Sequence, residues 1–335
     1  MKFKSQKFES ANKIKYLLYI LALVIVIQTG CSSNKSNSVN TVTDFSNLIP
    51  IMDMNSSETY NGEEGGLYGM GSNEPPPDHF LAAQKLLNEI TPLDENGDSS
   101  STGKIVFISI GMSNTSIEFK DFITLANSDS ETSPYLEITN GAQVGMTAED
   151  WAGTDEPWQV LEQRIQNDGL TNEQVQVAWV KLALAYPKTG WPQATETLKE
   201  YLITTMQRLK QNFPNIKIVY LSSRSYGGYA LIDKNPEPYA YESGFAVRWL
   251  ILDQINGSAE LNFDPLKGTV QSPLLLWGPY LWANALAPRS DGLIWEISDF
   301  EPDGTHPNDK GKSKISNLLL NYLKTNELAK SWFLK

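Results

Sequence analysis

Few side chains in this 335-residue chain could hold a metal or a redox partner. It has one cysteine, Cys31, and two histidines, His79 and His306. One cysteine allows no disulfide within the chain, so an exported domain built from it must be held by its core alone. One Cys and two His make no cluster with metal-ligand spacing, and neither a metal nor another cofactor is expected. Basic residues are the minority, 27 Lys and Arg against 39 Asp and Glu, for a net charge of −12. Such a surface repels a phosphate backbone, which excludes nucleic acid as a partner. There is no phosphate-binding glycine loop and no repeat of fixed period. The apolar run Tyr16 to Ile27 is too short for a comfortable membrane span.

That run sits in a recognisable setting. Five lysines and a single glutamate precede it or flank it within the first fifteen residues, and Thr29-Gly30-Cys31-Ser32-Ser33 follows shortly after. A basic stretch, a short apolar stretch and small residues make a secretory signal over 1–30. Cys31 resembles the lipid acceptor of a bacterial lipoprotein signal, with Gln28 departing from the usual aliphatic residue. Ser32 and Ser33 resemble residues that allow passage to the outer membrane. The expectation is an exported protein, anchored by lipid on Cys31 to the outer membrane, at its periplasmic face or the cell surface. From Cys31 onward the chain holds 22 basic and 38 acidic residues, a net charge of −16.

Residues 31–48, rich in Ser, Asn and Thr, read as a flexible tether. Residues 49–103 read as an irregular segment containing one helix at His79 to Ile90. Residues 104–335 read as the main domain. Apolar runs of strand length fall at 104–110, 135–138, 175–181, 216–222 and 273–277, and helix-like stretches at 115–126, 157–167, 193–212, 239–255 and 309–326. Strands alternating with helices imply a doubly wound, mostly parallel sheet between helices, flavodoxin-like in type. In such sheets ligands sit beyond the C-terminal ends of the strands.

Two short segments there carry chemistry. Gly111-Met112-Ser113-Asn114-Thr115 lies between the first strand and its helix, where free backbone N–H groups can stabilise an oxyanion. Thr115 and Glu118 also fit a capping box. Asp303-Gly304-Thr305-His306-Pro307 precedes the last helix. A serine nucleophile needs a base near neutral pH, and histidine is the usual one. Asp303, three residues upstream, can turn back to orient the His306 ring.

Together these segments resemble the SGNH, or GDSL-like, hydrolases. In that family a Ser follows the first strand in Gly-Asp-Ser, matched here by Gly111-Met112-Ser113 with Met112 in place of Asp. An Asp-x-x-His motif precedes the last helix, matched by Asp303 to His306. The resemblance implies Ser113, His306 and Asp303 as nucleophile, base and orienting acid. Gly145, in Asn140 to Thr147, falls where the family supplies an oxyanion N–H. The family's third motif, which brings an oxyanion Asn, has no match after the strand at 175–181. Lys181 sits near that place, as an oxyanion donor or a structural ion-pair partner.

Arg224 and Tyr226 follow the fourth strand and are candidate substrate contacts, Arg224 for a carboxylate or sugar hydroxyls. Trp151, in an expected loop, is a candidate stacking platform. His79 is expected to be structural. The function expected is a serine esterase acting on acyl esters, with acetyl groups on carbohydrate as the expected substrate. A glycan-binding lipoprotein without catalysis, or a lipase or thioesterase, stay open as other readings.

Overall fold

The computed structural model describes residues 45–335. The expected signal, Cys31 and most of the expected tether lie outside the described residues.

The elements run in the order β1 (Thr59–Tyr60), β2 (Glu63–Glu64), α1 (Pro77–Leu87), β3 (Ile105–Gly111), α2 (Ser113–Ser128), β4 (Leu136–Thr139), α3 (Ala148–Gly153), α4 (Glu156–Asn167), β5 (Val175–Lys181), α5 (Gln193–Asn212), β6 (Ile218–Leu221), α6 (Tyr239–Ile255), β7 (Leu274–Trp277), α7 (Asp309–Thr325) and α8 (Lys330–Phe333). β1 and β2 form a small antiparallel hairpin. The five remaining strands make one parallel sheet in the order β4-β3-β5-β6-β7. This is the doubly wound arrangement the alternation predicts. Its order reverses between β3 and β5, and a crevice opens at such a switch point beyond the strand C-termini.

The apolar runs become strands because both faces of the sheet are covered. Every residue of β3 and of β5 is buried, which is why neither run alternates with polar residues. On one face Val106, Ile108 and Ile110 pack with Trp151, Leu161, Leu202 and Phe245 of α3 to α6. On the other, Ile105 and Phe107 pack with Ala83, Phe119, Ile315 and Trp332 of α1, α2, α7 and α8.

The segment before β3 belongs to this same body. Ile51, Leu67 and Tyr68 join the first apolar cluster. The expected tether is too long at its C-terminal end. Asn284 Nδ2 donates to the carbonyls of Phe45, Ser46 and Leu48 at 2.9–3.1 Å, and this docks residues 45–48 instead of leaving them as a free linker. α3 was not expected. Its signal was present as a capping box, in which Thr147 Oγ1 accepts from the Asp150 N–H while the Asp150 carboxylate accepts from the Thr147 N–H.

An edge strand exposes backbone groups that would pair with another chain. At β7 side chains take them up. Gln254 Oε1 accepts from the Leu275 N–H at 2.8 Å, and His79 Nε2 donates to the Leu275 carbonyl at 2.8 Å. Tyr68 Oη accepts from the Trp277 N–H, and the Tyr322 hydroxyl donates to the Trp277 carbonyl. His79 is therefore a neutral donor inside the fold, 5% exposed and edge-on to Phe263. Burial pushes its pKa below the usual histidine value, and the bond to the Leu275 carbonyl only partly opposes this.

The sign of the linkage follows. Below about pH 6.5 an unfolded histidine takes up a proton that folded His79 resists, so stability falls as the pH drops towards the lower folded value. His79→Gln keeps an N–H donor without a titrating ring. The variant is expected to lose less stability than the parent between pH 7.5 and pH 5, read from denaturant midpoints. An equal loss in both proteins would take His79 out of the acid response.

Candidate active site

Ser113 is the first residue of α2, and α2 starts directly where β3 ends. A glycine at position 111 permits this, because a Cβ there would come within 2.3 Å of Thr115 Oγ1. The turn leaves the first N–H groups of the helix without a side-chain cap. The expected capping box is absent. Thr115 Oγ1 instead donates to the Lys181 carbonyl at 2.8 Å, and Glu118 is drawn into the core. The Ser113 N–H thus stays free at the positive end of a sixteen-residue helix, where anionic oxygen is favoured. Met112, which stands where the resembled family has Asp, packs into the core.

The loop ahead of α7 brings up the second half of the site. Asp303 Oδ1 accepts from the N–H groups of Thr305 and His306 at 2.9 and 3.0 Å, and Asp303 Oδ2 lies 2.5 Å from His306 Nδ1. One carboxylate therefore shapes the turn and orients the ring. Gly304 has φ +64°, and a Cβ there would lie 1.8 Å from the Tyr229 carbonyl oxygen, so the turn needs glycine. Asn308 caps α7 by accepting from the N–H groups of Lys310 and Gly311. Asn308 Nδ2 also donates to the carbonyls of Ser298 and Phe300, fixing the loop's exit.

The two halves meet. Ser113 Oγ lies 2.8 Å from His306 Nε2. With Nδ1 facing a carboxylate, the ring proton belongs on Nδ1, and Nε2 presents a lone pair to the serine hydroxyl. Asn114 Nδ2 donates to the Thr305 carbonyl at 2.9 Å and staples the nucleophile helix to the histidine loop. Burial raises the Asp303 pKa, but the hydrogen bonds from the His306 ring and from the His306 and Thr305 N–H groups outweigh it. The carboxyl ends below its ordinary range, ionised at neutral pH.

Gly145 occupies an exposed turn with φ +84° that opens freely to solvent. The loop carrying it is tied to the nucleophile segment. The Gln143 N–H donates to the Gly111 carbonyl at 3.0 Å, and Asn140 Nδ2 donates to the Ser116 carbonyl at 2.9 Å.

Lys181 behaves otherwise than as an oxyanion donor. Its side chain is 1% exposed, and its ammonium is bound to Glu118, itself fully buried. No ester oxygen can reach it without displacing that pair. Burial lowers the Lys181 pKa to about 8 and raises that of Glu118. Glu118 escaped the sequence reading because a capping box explained it. The available signal was its place at the spacing 115, 118, 119, 122, the buried stripe of α2. A carboxylate on an apolar stripe implies a buried partner.

Trp151 does not provide a stacking platform. It lies on α3, is 0% exposed, packs edge-on to Trp158 and donates from Nε1 to the Gly111 carbonyl. It supports the nucleophile turn from within the core. Tyr226 remains half-buried, edge-on to Tyr229 at 5.0 Å. Arg224 is 6% exposed.

No family model matches the sequence, and no curated protein matches it. Solved structures give distant similarities. A GDSL-like lipase from Bacteroides thetaiotaomicron is 11% identical, covering 73% of this chain and 95% of that one, with a TM-score of 0.37. An acetyl esterase is 13% identical over 64% of this chain and 94% of that one, TM-score 0.37. The C-terminal catalytic domain of a Streptococcus pneumoniae peptidoglycan O-acetyltransferase is 14% identical over 66% of this chain and 94% of that one, TM-score 0.32.

Proposed function

We propose that this protein is a serine ester hydrolase of the SGNH type, exported and lipid-anchored through Cys31, which removes acyl groups, chiefly acetyl, from carbohydrate. The observation that carries the reading is the hydrogen-bonded series Ser113–His306–Asp303, with contacts of 2.8 and 2.5 Å. A glycan-binding protein has no need of a nucleophile, a base and an orienting acid in that relation.

The geometry supports the following reaction. As Ser113 Oγ attacks the ester carbonyl, its proton passes to His306 Nε2, and the imidazolium formed is stabilised by Asp303. The tetrahedral oxyanion is met by the Ser113 N–H at the start of α2 and by the Gly145 N–H. Collapse expels the alcohol, which takes the proton from Nε2, and leaves the acyl group on Ser113. Water then repeats the sequence, with His306 as base, and releases the acid. A carbohydrate carrier is supported by the exported, surface-anchored reading and by the partly buried Tyr226, an aromatic two residues after Arg224 in the same loop.

The purified full-length protein is expected to hydrolyse p-nitrophenyl acetate. A fluorophosphonate probe is expected to phosphonylate Ser113 with loss of fluoride, so that the tryptic peptide carrying Ser113 gains the mass of the probe less HF. Failure of both reactions with folded protein would favour the glycan-binding alternative.

A further inference from the structure

The chain has five arginines, and four of them are anchored. Arg164 donates to the Asn140 and Ala142 carbonyls at 2.7 and 3.0 Å. Arg208 holds Asp155, and Arg248 holds Glu63. Arg289 grips Asp291 through two nitrogens, at 2.8 and 2.6 Å. Arg224 is the exception. Among the described residues its guanidinium makes no hydrogen bond and no ion pair, although the residue is only 6% exposed. Its Nε is shut off from solvent with no acceptor. Unmade donors on a buried cation are costly, so a structural role for this side chain would have provided an acceptor, as it does for the other four.

The position of Arg224 says what would complete it. Lys181 pairs in register with Gly111, and the Ser222 N–H donates to the Val180 carbonyl at 2.9 Å. Ser222-Ser223-Arg224 therefore leaves the sheet at the level where Gly111-Met112-Ser113 leaves it. Two strand spacings, about 10 Å, separate these exits. The Arg224 loop also packs on the histidine loop, with the Leu231 N–H donating to the Asp303 carbonyl at 3.1 Å. The buried carboxylates whose charges act on Arg224 are Glu118 and Glu237, and neither is bonded to it. Lys181 already occupies Glu118. The carboxylate of Glu237 is taken by the N–H groups of Gly227 and Tyr241 and by Trp282 Nε1.

We infer that Arg224 is a specificity residue of this site, and that its planar fork receives a carboxylate on the alcohol part of the substrate. The natural ester is then one of an acidic sugar. A carboxylate matches the guanidinium with two parallel hydrogen bonds, and a neutral sugar hydroxyl does not. The inference rests on the hydrolase reading above and names its substrate class.

The test compares kcat/KM for acetate release from mono-O-acetylated galacturonic acid and mono-O-acetylated galactose, which differ in the carboxylate. It uses the full-length protein, Arg224→Gln and Arg224→Lys, each checked for folding by thermal melting. The parent is expected to prefer the acid at least tenfold. Arg224→Gln is expected to bring that ratio below about two, and Arg224→Lys, which keeps the charge but loses the fork, to fall between. Equal use of both esters by the parent, or an acid preference that survives Arg224→Gln, overturns the inference and leaves the hydrolase reading standing. If no ester is turned over, p-nitrophenyl acetate included, the hydrolase reading falls. The carboxylate claim is then decided by calorimetric titration. Galacturonate binding that galactose does not match, and that Arg224→Gln abolishes, supports it, and any other pattern overturns it. Should Arg224→Gln not fold, Arg224→Lys carries the same comparisons.

Discussion

Ser113→Ala is expected to lower kcat for p-nitrophenyl acetate by about 10⁴-fold or more, and His306→Ala by a similar factor. The two groups share one proton transfer, so removing both costs little more than removing either. Asp303→Asn is a sharper probe, since it replaces one oxygen and keeps the size of the side chain. Asp303 Oδ2 now receives the Nδ1–H of His306. An amide N–H in that place would drive the ring proton to Nε2 and remove the lone pair that faces Ser113. Loss of about 10⁴ in kcat is expected with little change in KM. The Asn side chain can still accept the Thr305 and His306 N–H groups through its oxygen, so the turn should persist. Turnover by folded Ser113→Ala within tenfold of the parent would rule out this serine as the nucleophile.

The second large effect is on stability. Lys181→Met leaves Glu118 buried without its cation, and one of its oxygens already lacks a partner. Breaking a buried pair by removing one member costs about 3–5 kcal/mol. Burial disfavours both charges here, as the lowered Lys181 and raised Glu118 pKa values reflect, so the pair as a whole adds little net stability. The double variant Lys181→Met/Glu118→Leu should therefore return to within about 1–2 kcal/mol of the parent. Denaturant unfolding of the two single variants and the double variant measures the coupling. A single substitution costing under 1 kcal/mol would mean that water or a neighbour reaches the site. The same double variant tests what Lys181 does in catalysis. An oxyanion donor is worth about 10²–10³ in kcat, and a fall of that size in the folded double variant would bring Lys181 back to the reacting centre.

Local chemistry makes much of this protein legible in its sequence. The strand at 175–181 was read to its residue limits, because a run buried on both faces shows its whole length as apolar sequence. The helix at 193–212 was equally plain, since a long amphipathic period has no competing explanation. Ser113, Asp303 and His306 stood out because a nucleophile turn and an Asp-x-x-His turn are each built from neighbours along the chain. The turn at 303–306 closes on itself through Asp303 Oδ1, so its four residues carry most of its geometry.

What sequence did not decide are the pairings between residues distant in the chain, where one side chain has several plausible uses. Glu118 satisfied a local capping rule yet turned inward, because Lys181, sixty-three residues away, offers it a buried cation. Trp151 seemed free for a substrate until a capping box at Thr147 wound α3 and put the ring under Gly111. Arg224 was one of several loop residues until four other arginines found acceptors and it did not. Sequence alone thus determined the layered α/β order and, through the resemblance of two short motifs, singled out the three residues of the candidate hydrolytic site, since periodicity and short turns are local properties. The tertiary structure alone decided which charges are spent within the fold and which are left for a ligand, since that depends on what the folded chain brings within hydrogen-bond reach.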